Sequence, residues 1–141
     1  MPAIPEPPGR FGDALIELRP IAEWDIPEVL IAHQDDRELH RRRGMAKPPT
    51  GAQLGREVER APERRLSGDS IELTIVEPGS NDCRGRVEIF ALDWEELTAS
   101  VRVWVAPQLR DRGLEQRAAE LATQWLRSAV GLHDLDVTLL T

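Results

Sequence analysis

The stretch Val101-Arg-Val-Trp-Val-Ala-Pro-Gln-Leu-Arg-Asp-Arg-Gly-Leu114 decides the fold. Val101, Val103 and Val105 alternate with Arg102 and Trp104, the period of a strand with two different faces. Ala106 to Gly113 reads as a loop. Beyond it, Leu114, Ala118, Leu121, Ala122, Trp125 and Ala129 fall on one face of a long helix, and Gly131 suits the C′ position after it. Leu135, Val137 and Leu139 then form a last strand. Strand, helix and strand in this order make a β-α-β unit, whose two strands run parallel.

Upstream, Ala14 to Arg19 reads as a first strand. Asp25 offers a helix N-cap, with Pro27 in the first turn and Glu28 three residues on. Ile26, Val29, Leu30 and His33 share one face of that helix. Residues 40–50 read as a loop. Thr50 and Gln53 form a capping box for a second helix, which should end near Ala61 because Pro62 cannot donate to it. Ile71 to Glu77, the Val87-Ile89-Ala91 alternation and the Val101 strand follow with short connections, so they form an antiparallel meander. Residues 1–13 carry a cluster of prolines and read as a loose, disordered tail. Residues 14–141 then form one α/β domain, a mixed, mostly antiparallel sheet flanked by helices.

Composition excludes several classes. A net charge of −7 disfavours nucleic acid or an anionic membrane as a partner. No apolar run reaches the ~20 residues of a membrane-spanning helix. Cys83 is the only cysteine, so no internal disulfide can form. The amino terminus does not read as a secretory signal, and a cytoplasmic protein is expected. His33, His40 and His133 lack metal-ligand spacing, and no metal is expected. The basic run His40 to Arg43 reads as a solvated loop. Trp125 belongs to the core face of its helix, and Trp104 points to the other side of the sheet.

The loop Gln108 to Gly113 lies between a strand and a helix. A helix N-terminus presents unpaired N–H groups and the positive end of its dipole, which suits an anion. Arg110 and Arg112 add positive charge there.

Leu15-Ile-Glu-Leu-Arg-Pro-Ile with Asp25-Ile-Pro-Glu-Val-Leu, and the Val101–Leu114 stretch, resemble the GNAT acyl-CoA N-acyltransferases, in the branch of the ribosomal-protein N-terminal acetyltransferases. Trp125 and Gly131-Leu-His-Asp-Leu match the passage from that branch's third helix to its fifth strand. The resemblance runs from about Leu15 to Thr141. It implies acetyl-CoA as co-substrate and an amine as acceptor. The coenzyme would lie against Val103, Trp104, Val105, Arg110, Asp111, Arg112, Gly113, Leu114 and Glu115, with Arg110 and Gly113 matching the family's pyrophosphate motif. Trp104 would cover the pantetheine arm or pack beneath a helix. The family's loop before the second helix shapes the acceptor site, so His40 to Arg43 could select an acidic acceptor.

Several positions depart from the family. Asp111 stands where glycine is usual and Glu115 where a small residue is usual, which puts two carboxylates beside a site for a dianion. Ser100 occupies the position of the usual glutamate base, and Glu88 or Asp93 could substitute for it. The chain contains no tyrosine, the family's usual acid, and is expected to lack the family strands after the fifth. Two functions follow: acyl transfer from acetyl-CoA, or a degenerate, non-catalytic GNAT module that binds a partner or itself. Leu135 to Leu140 has no proline or lysine to blunt its edge, so a homodimer or a protein partner is expected to cover it.

Overall fold

A computed structural model describes residues 2–140. Its sheet has six strands in the order β1-β2-β3-β4-β5-β6. These are β1 (Phe11–Gly12), β2 (Glu17–Pro20), β3 (Ile71–Val76), β4 (Gly85–Asp93), β5 (Thr98–Val105) and β6 (Asp134–Leu140). Neighbours pair antiparallel as far as β5. The last pair, β5 and β6, is parallel, as the β-α-β reading requires. The helices are α1 (Ile26–Asp35), α2 (Leu39–Arg42), α3 (Gly51–Leu66) and α4 (Leu114–Trp125).

The sheet has two covered faces. Val101, Val103 and Val105 of β5 join Leu73, Val87, Ile89, Ala118, Ala122 and Trp125 in a core between the sheet and α4. Trp104, pointing the other way, is 1% exposed and packs with Val29, Ala32, Leu39 and Leu54 of α1 to α3. The packing role is therefore the one Trp104 fills.

Several expectations are corrected. The last strand is the sixth, because Phe11–Gly12 adds a short strand at the other edge. The segment before β1 is anchored at Ile4. Ile4 is fully buried, its N–H donates to the Arg65 carbonyl at 2.8 Å, and Arg65 Nη1 donates to the Ile4 carbonyl at 2.8 Å. The same two bonds secure the last turn of α3, which runs through Pro62 to Leu66. Pro62 is exposed and, lacking an N–H, leaves the Val58 carbonyl without its helical donor. Residues 40–50 begin inside a short helix rather than a loop.

Asp25 does not cap α1 with its side chain. Its carboxylate is fully buried and accepts from Arg19 at 2.7 and 3.1 Å, from Thr74 Oγ1 at 2.7 Å and from the Ala22 N–H at 3.0 Å. The Thr50–Gln53 capping box is present in both directions. α4 passes into a wider π turn, Leu126–Val130, and ends at Gly131 with φ 88°, the left-handed C′ position.

Candidate functional site

The loop between β5 and α4 begins with a tight turn, Pro107–Leu109, held by buried Leu109. Two left-handed residues follow, Asp111 at φ 65° and Gly113 at φ 75°. Gly113 is the N-cap of α4, and the first bond back to it comes from Arg117 N–H at 3.1 Å. The amides of Leu114, Glu115 and Gln116 thus lie in the first turn without partners inside the helix. That is the frame of an anion site.

The side chains around this frame are committed elsewhere. Arg110 Nη2 donates to Asp36 at 2.5 Å, and Arg42 reaches the same oxygen at 3.0 Å. Burial would raise the Asp36 carboxyl, but the Arg110 hydrogen bond and the neighbouring positive charges hold it below its ordinary value. Arg110 therefore faces α1. Glu115 is 4% exposed, and its Oε1 has no hydrogen-bond partner. A buried carboxylate in the first turn is favoured by the helix dipole. Asp111 and Arg112 are exposed.

Further down β5, Ser100 is half-buried and stands across from Phe90 on β4 and Asp136 on β6. It is five residues from Val105, roughly 16 Å along an extended strand. Val103 and Val105 are fully buried against α4, and Leu114 is half-buried. Asp93 accepts the amides of Glu95 and Glu96, which closes the β4–β5 turn.

Glu88, the candidate substitute base, is not a surface carboxylate. It is 6% exposed and lies beneath α1 and α2. Arg43 donates to its Oε1 from Nε at 3.0 Å and from Nη2 at 2.5 Å, and Arg102 donates to Oε2 at 2.8 Å. Arg43 also approaches His33 Nε2 at 2.7 Å and lies over the Trp104 ring. Burial, then the Arg43 charge, pushes the His33 pKa down to about 4, which keeps the ring neutral. The basic run His40–Arg43 is thus split: Arg41 and Arg42 are exposed and Arg43 is a buried core cation.

Sequence reasoning missed Asp36, Arg43, Arg86 and Arg102 as partners. Thr74, Arg86, Glu88, Arg102 and Trp104 share one face of the sheet through the pairs Thr74↔Arg86, Arg86↔Trp104 and Glu88↔Arg102. Their alternation was legible, but not that helices would cover them.

The acetyltransferase (GNAT) domain model matches residues 16–140. No curated protein matches the chain. Among solved structures, a putative ribosomal-protein-serine acetyltransferase from Vibrio cholerae superposes with a TM-score of 0.77 at 14% identity, covering 94% of this chain and 75% of its own. RimJ from Mycobacterium smegmatis, in complex with CoA-disulfide, gives a TM-score of 0.69 at 16% identity, with 92% and 66% covered. A spermidine N-acetyltransferase from Vibrio cholerae, in complex with CoA and spermine, gives 0.73 at 14% identity, with 89% and 71% covered. At these identities the likeness is one of fold. No helix among the described residues is long and apolar enough to cross a membrane.

Proposed function

This chain belongs to the GNAT acetyltransferase family, and from that premise we propose that it works as a binding module on the family's fold rather than as an acyltransferase. The observation that carries the reading is the pairing of β5 with β6. The resemblance to the family implies that the strands matching β5 and β6 splay apart to admit the coenzyme. Here the ladder runs from Thr98↔Asp134 to Trp104↔Leu140. Opening its end would break backbone hydrogen bonds worth about 0.5–1.5 kcal/mol each.

Two further features support it. Arg110, the charged residue of the pyrophosphate motif, is taken by Asp36. Both oxygens of Glu88 are taken by guanidinium groups, so it is not free to accept a proton from an acceptor amine. The binding surface we assign is the outer side of β6, which among the described residues pairs with β5 alone and exposes Val137 and Leu139. A second copy of the chain could add a strand there.

Acyl transfer is the second reading. It is favoured by the three free amides of the α4 N-terminus and by exposed Arg112 beside them, and by the CoA held in the Mycobacterium and Vibrio relatives.

Titration with acetyl-CoA, followed by melting temperature, separates the two. A ligand at a hundred times its dissociation constant adds about 2.7 kcal/mol of stability. The binding-module reading expects no shift up to about 1 mM. A shift in the unaltered protein that saturates at low micromolar acetyl-CoA overturns it.

A further inference from the structure

We propose that a basic groove along α3 docks an acidic stretch of a partner polypeptide in extended form. The groove has a volume of about 550 Å³ and lies between α3 and the segment that leads into it. Arg56, Arg60 and Arg64 line it from α3, and Lys47 lines it from the preceding segment. All four are exposed, and among the described residues none has a carboxylate within ion-pairing distance. Most other arginines of the chain are paired.

The one carboxylate in the lining is Glu57, and it is held from below by Arg86 at 3.4 Å. Arg86 is fully buried and reaches Glu72 at 3.2 Å as well, while its Nε and second terminal nitrogen have no partner. The charge of Glu57 is thus offset from inside the fold, and the groove keeps a local excess of positive charge. On a chain of net charge −7 this is the reverse of the average surface. Opposite charge attracts and orients a partner at such a patch.

Geometry selects a polypeptide. Arg56, Arg60 and Arg64 are four residues apart, so they form a ridge with a repeat of about 6 Å along the helix. Alternate side chains of an extended peptide repeat every ~6.7 Å on one side. Carboxylates at every second position would therefore meet successive arginines. Met45, Ala46 and Pro48 give the groove an apolar wall for the peptide's stems. No aromatic side chain lines it, so it offers no stacking platform for the bases of single-stranded RNA.

Fluorescence anisotropy of labelled decaglutamate tests the proposal on the whole chain. Saturable binding is expected, weakening between about 50 and 200 mM salt. Arg56→Glu with Arg60→Glu should lose about tenfold or more in affinity at unchanged melting temperature. Arg37→Glu with Arg127→Glu makes the same charge change at exposed sites outside the groove and should stay within about twofold. No binding of decaglutamate, an equal loss in both double variants, or tighter binding of decauridylate than of decaglutamate would each overturn it.

Discussion

Arg110 donates to Asp36 at 2.5 Å, which ties the loop before α4 to the end of α1. The arginine that matches the family's pyrophosphate motif is thereby spent inside the protein. Asp36→Asn removes the charge that holds it. Acetyl-CoA binding, measured calorimetrically, should become stronger by about tenfold in this variant than in the unaltered protein. Equal or weaker binding would show that the ion pair does not block the site.

Gly113 takes φ 75°, and a Cβ placed there meets no atom within 4 Å. Crowding therefore does not require glycine; the left-handed backbone does. Gly113→Val should destabilise the fold by about 1–2 kcal/mol without any ligand. Gly113→Asn should cost less, since asparagine enters that region more readily. Urea midpoints of the two variants check the order, and an unchanged midpoint for valine counts against the argument.

Glu88 neutralises Arg43, whose side chain is 2% exposed. Glu88→Gln leaves that cation buried without its partner, and should cost about 3 kcal/mol or more. Chemical denaturation measures it. A residue present only for catalysis would leave the midpoint where it was.

Buried His33 and half-buried Glu72 act on stability in opposite senses as pH changes. His33 titrates at about 4 in the fold and at 6.5 in the unfolded chain, so between those values the unfolded state holds the extra proton. Acidification through that window weakens the fold, by up to about 3 kcal/mol. Burial raises Glu72 from 4.5 to about 7 against the pull of Arg86, helped by the charges of Glu57 and Glu88. In that window the folded state holds the extra proton, so rising pH weakens the fold. The two slopes offset each other in the unaltered protein. Glu72→Gln should lose stability as pH falls from 7 to about 4, and His33→Gln should lose it as pH rises from 4.5 to about 7. Equally flat profiles in both variants would falsify this pairing.

The outer edge of β6 exposes Val137 at 39% and Leu139 at 38%. Sedimentation at micromolar concentration should show a dimer, and Leu139→Lys should return it to monomer by placing a charge on the edge. A monomer throughout that range sinks the self-association we propose.

The order of the longer elements was legible in the sequence, though not the short β1 and α2. Alternation in Val101–Val105, helical spacing from Leu114 to Ala129 and the Thr50–Gln53 box are local patterns, and the backbone follows them. The parallel pairing of β5 with β6 followed too, because a helical crossover permits little else. Only the tertiary structure decided which polar residues are buried. Glu88 and Arg102 alternate with valines as they would on a solvated sheet; α1 and α2 cover that face, and Arg43, from a run that reads as surface, completes the charge balance. Asp36 and Arg110 are 74 residues apart and meet through packing alone. Periodicity reports which side of an element a residue takes. It carries no information on what, distant in the chain, will lie against that side, and the chemistry of the loop before α4 turned on that second question.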